Sequence, residues 1–263
     1  MHRLIFIVFF FLGTTVVSAQ TWEVGGFLGS SGYMGDINPI RPQKFTDFAF
    51  GAQLKRNFDG FWSAKLAYMN GKIQGDDAKS TNQSQRDRNL NFYSAVSELS
   101  MQVEFNFFKY LVGDIYSYEN KRFSPYMFTG IALLNFEPKT KYNGDEITLR
   151  QVETEALTYK NYAISVPYGV GLKYNISDNL NLIGEIGYRT AFTDYLDDIS
   201  GRYPDFSVIP IKTPISQALS DRSILSNIGI PATQRGDFRP RDTYMFAGIS
   251  LTFTFVPINC PTF

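Results

Sequence analysis

The stretch TAFTDYLDDISGRYPD, residues 190–205, places four carboxylates within sixteen residues: Asp194, Asp197, Asp198 and Asp205. Carboxylates this close could hold a hard cation, share a proton as an acid–base pair, or cap the backbone of an ordered loop. Their spacing does not follow the order of ligands in an EF-hand calcium loop. A catalytic pair would also need a nucleophile and a cleft, and the surrounding residues supply neither. The favoured reading is a loop structured by Asp194, Asp197 and Asp198 bonding to backbone. A looser calcium site that adds Asp205 and backbone carbonyls is the second.

The rest of the chain narrows the chemistry further. The single histidine is His2 and the single cysteine is Cys260. His2 lies in the opening MHRLIFIVFFFLGTTVVSAQ, which has the cationic start, apolar run and small-residue cleavage site of a secretory signal peptide. Cleavage after Ala19 leaves a chain from Gln20 with no histidine. That excludes Ser-His-Asp and Cys-His machinery and histidine metal sites. Cys260 has no second cysteine to pair with. The sequence therefore assigns no catalytic residue, no cofactor and no metal, and the protein reads as a non-enzyme.

Lysine plus arginine and aspartate plus glutamate both number 25, with no long block of either sign, so no nucleic-acid partner is expected. Past the signal peptide no run of 18 apolar residues exists to cross a membrane as a helix.

The positioning elements are strands. Two-residue alternation runs through SMQVEFNFF, where Leu99, Met101, Val103, Phe105 and Phe107 share one face. It recurs in YAISVPYGVGLKY, NLNLIGEIGYRTAF and TYMFAGISLTFTF, and over residues 22–31, 47–57, 61–71 and 124–137. The segment 124–137 is apolar on both faces, and Pro167 predicts a bulge or bend. NFDG (57–60) and NISDN (175–179) are tight turns; 33–46, 72–89, 138–161 and 194–242 are long connections, and 109–122 is intermediate.

Short and long connections alternate along the chain. This predicts an all-β protein, a single eight-stranded antiparallel up-and-down transmembrane β-barrel with long outer loops, spanning residues 20–263 after a signal peptide at 1–19.

The polar faces are rich in glycine, which suits the crowded lumen of a small barrel better than a solvent-facing sheet. Aromatics such as Trp22, Trp62, Phe107 and Tyr174 gather near strand ends, as at membrane interfaces. The lumen then receives Glu98, Glu104, Glu185, Lys55, Lys65, Lys173 and Arg189. These must pair with one another, and such a network plugs a barrel. Gly169 and Gly171 read as packing residues, and Arg235-Gly236-Asp237 as a chance match to an adhesion tripeptide. TPISQALSDRSIL (213–225) suggests a short helix, and VETEAL a helix or a strand extension.

Several stretches resemble the PorG-like family of outer-membrane proteins of the type IX secretion system. They are EVGGFLGSSGYMGDINP (23–39), RNLNFYS (88–94), VEFNFF (103–108), RFSPYMFTGIALLNFEPK (122–139), VPYGVGLKYNIS (166–177), GYRTAFTDYLDDISGRYPD (187–205), SDRS (220–223), QRGD (234–237) and YMFAGISLTFTF (244–255). The resemblance implies a barrel without enzymatic activity in the outer membrane of a Gram-negative bacterium. It would contact outer-membrane lipid and tie that membrane to the periplasmic PorK–PorN ring. A small channel or passive pore is the alternative. A periplasmic ring must meet the short-turn side, where FKYLVGDIYSYENKR (108–122) offers Leu111, Val112, Ile115, Tyr116 and Tyr118 as anchors.

Overall fold

In the computed structural model, residues 21–38, 45–112, 120–209, 213–225 and 228–256 are described. The segment 1–19, read as a signal peptide, and Cys260 lie outside them. The strands are β1 (Thr21–Met34), β2 (Phe45–Asn57), β3 (Trp62–Asp76), β4 (Asn91–Asn106), β5 (Phe123–Tyr142), β6 (Asp145–Thr148), β7 (Tyr162–Ser177), β8 (Leu180–Ala191) and β9 (Thr243–Phe255). All but β6 pair antiparallel with their neighbours in the chain, β4 pairs β5, and β9 returns to β1. This closes an eight-stranded up-and-down barrel. The ninth strand, β6, is a short flap hydrogen-bonded to the top of β5.

Side-chain alternation decides what each face meets. Outward positions carry Val24, Leu28, Phe50, Leu66, Met101, Met127, Leu133, Val170, Ile249 and Phe253, all largely exposed. Apolar surface running right round a closed barrel is stable in lipid, not water, so the barrel spans a membrane. On β5 the apolar outward run is Phe123, Met127, Ile131 and Leu133. The span from Phe123 to Leu133, eleven residues, fits the roughly 9–11 that a tilted spanning strand needs.

Beyond Leu133 the same face turns polar, with Asn135 and Lys141 exposed; on β3, Lys72 and Gln74 do the same. The alternation suggests strands ending near 71 and 137, but β3 runs to Asp76 and β5 to Tyr142. The sheet outlives its apolar belt because its upper portion stands clear of the bilayer.

Pro167 produces no bulge. Pairing of β7 with β5 is missing between Thr129↔Tyr168 and Ala132↔Ser165 without a change of register, while β8 still pairs with β7 through Pro167↔Arg189. A strand residue directs its N–H to one neighbour only, so proline interrupts one ladder and leaves the other intact.

Inside, two layers fill the barrel. The lower layer is charged and balanced. Lys55 Nζ lies 3.3 Å from Glu23 and 3.2 Å from Glu104, Lys65 Nζ 3.1 Å from Glu104 and 3.0 Å from Glu185, and Lys173 Nζ 2.6 Å from Glu104. Three ammoniums thus meet three carboxylates. Tyr126 donates to Glu185 at 2.9 Å. Higher up, Arg189 Nε meets Glu98 at 3.1 Å, and Tyr244 donates to the same Glu98 oxygen at 2.7 Å.

Aromatic rings close the remaining space. Phe128 lies over Gly169 and Gly187, where a Cβ would come within 2.7 and 2.6 Å of its ring. Lys65 caps that ring at 4.8 Å and Arg189 caps Phe246 at 4.8 Å.

The upper layer is apolar: Tyr33, Ile73, Phe92, Val96, Leu134, Phe136, Tyr244 and Phe246 point inward above the charges. This is why β5 is apolar on both faces. Its lower half meets lipid outside, and its upper half meets a buried core inside.

Among the described residues, three short α-helices lie in the connections at this end: α1 (Gln83–Arg88), α2 (Leu149–Val152) and α3 (Pro214–Ser220). The last is the helix expected within 213–225. Thr213 caps it in a reciprocal capping box with Ser216, and Pro214 opens it. VETEAL holds the end of α2 and then a turn, not a strand.

Glu104 is bound by all three lower lysines, so Glu104→Gln should leave three ammoniums facing two carboxylates. Removing one partner of a buried ion pair costs about 3–5 kcal/mol. Urea unfolding of the detergent-refolded barrel, followed by gel mobility, should show a lower midpoint for the variant; an unchanged midpoint would refute the charge balance.

Candidate functional site

The segment 192–242 leaves β8 on the same barrel end as the other long connections, opposite Thr21 and the tight turns. It does not stay outside. Leu196 and Ile199 are buried in the upper core at 0% and 1% exposure. Asp197 and Asp198, between these two anchors, are carried into the barrel mouth with them at 1% and 2% exposure.

Each of the two has defined partners. Asp197 accepts from Tyr33 Oη and from the Ile199 N–H at 3.0 Å. Asp198 adopts φ of 69°, which aspartate tolerates better than most residues. It accepts from Thr154 and, at 2.6 Å, from Tyr159. Tyr159 in turn stacks on Tyr195 at 4.5 Å. Burial pushes the Asp198 carboxyl up to about 6, even though the nearby Arg235 charge pulls it down.

Asp194 joins a different group. It, Asp36 and Asp242 each bring a carboxylate oxygen within 4.8 Å of the others. Asp36 follows β1 and Asp242 precedes β9, two strands that are paired neighbours, so the topology brings their ends together. Asp36 is buried, its Oδ1 accepts from the Asp237 N–H, and its Oδ2 is buried with no hydrogen-bond partner. Asp242 Oδ2 accepts from the Leu196 N–H at 3.0 Å, and its Oδ1 lies 3.4 Å from Tyr33 Oη.

Burial and then the neighbouring Asp197 charge raise Asp36 to about 9. Burial also raises Asp194 to about 6, and holds Asp197 and Asp242 well above the usual carboxylate range.

The arginines nearby are committed elsewhere. Arg88 grips both oxygens of Asp77 at 2.7 and 2.9 Å and donates to the Asp36 carbonyl at 3.0 Å. Arg235 meets Glu155 at 2.8 Å and donates to the carbonyls of Asp198 and Ser220. These two cations tie four connections into one cap. Arg235 is buried, so the adhesion-like tripeptide is an internal tie. Asp205 takes no part: it binds the N–H and hydroxyl of Ser207 in its own turn.

Residues 2–213 match the family described as Domain of unknown function (DUF6089). The chain belongs to that family. Asp36, Asp194, Asp197 and Asp198 fall within the matched residues, and Arg235 and Asp242 lie beyond them. No curated protein matches the sequence.

Among solved structures, Neisserial surface protein A matches over 90% of this chain and 98% of its own, at 9% identity and a TM-score of 0.41. The outer membrane protein OprG from Pseudomonas aeruginosa matches over 91% and 97%, at 12% identity and a TM-score of 0.41. A major outer membrane protein from Thermus thermophilus matches over 90% and 100%, at 14% identity and a TM-score of 0.40.

At the opposite, short-turn end of this DUF6089 barrel, the connection after β4 folds back under the lumen. Tyr110 is buried and donates to Asn181 at 2.8 Å. Asn120 pins the loop by exchanging bonds with both backbone groups of Leu111, at 2.7 and 2.6 Å. Val112 is buried and Leu111 half-buried, while Ile115, Tyr116 and Tyr118 lie outside the described residues.

The sequence reading placed Glu98, Glu104, Glu185, Lys55, Lys65, Lys173 and Arg189 in the lumen, where they meet as described above. It missed Glu23, whose inward position follows from the alternation that turns Trp22 outward. It also missed Asp36, Asp242 and Tyr33, for which no local spacing is diagnostic.

The raised carboxyls fix a pH dependence. An unfolded chain releases these protons near 3.8, whereas the folded cap holds the Asp36 proton to about 9 and the Asp194 proton to about 6. Over that window the folded state binds more protons, so stability falls as pH rises, by at most about 1.4 kcal/mol per unit for each proton. In chelator, the temperature at which the near-ultraviolet tyrosine signal is lost should drop between pH 5 and pH 9. A flat or rising profile would contradict the assignment.

Proposed function

We propose that this protein is a non-enzymatic outer-membrane barrel and a structural component of the type IX protein secretion system. In this reading it sits in the outer membrane of a Gram-negative bacterium with the cap outward. Its short-turn end faces the periplasm and meets the PorK–PorN ring.

The observation that carries the proposal is the filled lumen. A barrel sealed by a neutral ion network, aromatic rings and a packed cap acts through its surfaces, not through a pathway. The resemblance of stretches along the chain to the PorG-like family supplies the identity of the machine. The same filling argues against the alternative of a small channel.

The described ends of the 109–122 turn support the periplasmic contact, because Tyr110 and Asn120 hold them at the base of the barrel. Fixing a loop before binding lowers the ordering cost of an interface.

Replacing Ile115, Tyr116 and Tyr118 together by serine, with Tyr110 and Asn120 retained, should abolish recovery of the ring proteins with a tagged barrel from mild-detergent extracts. The variant should still migrate as a heat-modifiable barrel. Recovery of wild type without any ring protein would remove the secretion assignment; equal recovery by folded variant and wild type would move the contact elsewhere.

A further inference from the structure

We propose that Asp36, Asp194 and Asp242 form a calcium-binding site in the mouth of the barrel. The sequence assigns no metal, because its spacing test considers only ligands within one loop. The structure assembles the donors from two connections instead: Asp36 from the one after β1, and Asp194 and Asp242 from the two ends of the one between β8 and β9.

Two observations converge. The first is geometric: three carboxylate oxygens lie within 4.8 Å of one another. Calcium binds oxygen at about 2.3–2.6 Å, so two ligands of one ion can stand up to about 5 Å apart.

The second is an unmet donor requirement. Asp36 is only 3% exposed, and its Oδ2 is buried without a hydrogen-bond partner. The rest of that carboxylate is fixed by the Asp237 N–H on Oδ1, so it cannot turn away to find water. A buried acceptor left this way carries its full desolvation penalty unless a cation or proton meets it.

The surroundings suit a hard cation. The donors are oxygen only, which selects calcium or magnesium over softer metals. Calcium tolerates irregular coordination completed by carbonyls and water, whereas magnesium demands a near-octahedral set at shorter distances. The charged groups packed around the three are Asp197, Asp237, Glu155 and Arg88, with Tyr33 bridging Asp197 and Asp242. Arg88 already serves Asp77, so the excess of carboxyl groups over cations remains. The site would clamp the 192–242 connection to the ends of β1 and β9. It rests on the cap alone and stands whether or not the barrel belongs to a secretion machine.

The test is calcium titration calorimetry on the full barrel, refolded in detergent and stripped with chelator, paired with thermal unfolding of the cap. Wild type should bind one calcium per chain with a dissociation constant of about 1 mM or tighter, and calcium should raise the unfolding temperature. Asp36→Asn should weaken binding by about tenfold or more and abolish the calcium-dependent rise. In chelator the same variant should be at least as stable as wild type, since the amide is neutral throughout and needs no cation or proton to offset its burial.

Asp205→Asn, outside the cluster, should bind like wild type. Asp194→Asn, at a half-buried position, serves as the second variant if Asp36→Asn fails to migrate as a folded barrel. Absence of calcium binding and stabilisation in wild type would overturn the site, as would wild-type affinity in the folded Asp36 or Asp194 variant.

Discussion

Charge that enters a membrane barrel has to be matched inside it, and the rest of this architecture depends on that match. An eight-stranded barrel has an interior just wide enough for its own side chains, so little water is available to solvate an ion. Glu104 meets this constraint by receiving three lysines at 2.6 to 3.2 Å, two of which reach on to Glu23 and Glu185. The strands can then carry ionic residues on the inner face while the outer face within the bilayer stays largely apolar. Lipid outside and a neutral network inside are two consequences of one alternating pattern.

The cap obeys a different rule. There the anchors are apolar: Leu196 and Ile199 insert into the core formed by Tyr33, Phe92, Phe136 and Phe246. The aspartates between and around them follow because the backbone leaves no alternative. Arg88 and Arg235 neutralise Asp77 and Glu155 and stitch the connections together, yet they leave Asp36, Asp194, Asp197 and Asp242 facing one another. The lower lumen is charge-complete, and the mouth carries a surplus of carboxyl groups. That contrast separates a structural filling from a place where a ligand belongs.

How much of this is legible in sequence follows from the range of each interaction. The eight strands are readable because two-residue alternation is local and each face meets one uniform environment. The tops of β3 and β5 are not, because Lys72, Gln74, Lys139 and Lys141 look like loop residues unless the sheet is known to outrun the bilayer. Pro167 misleads for a related reason: its effect depends on which neighbour its missing N–H faces.

The acidic stretch is visible as a cluster; Asp197 accepts from the Ile199 N–H within it, whereas Asp198 accepts from the Thr154 and Tyr159 hydroxyls of another connection. Its partners are not visible, since Asp36 and Asp242 come from opposite ends of the chain. Only barrel closure through the β1–β9 pair brings them together.

The central claim is that the barrel is sealed at two levels, by the neutral ion network below and by the packed cap above. Single-channel recording of the purified protein in planar bilayers tests it most directly. The account predicts no steady conductance from wild type. Steady, voltage-independent current through the intact barrel would contradict it.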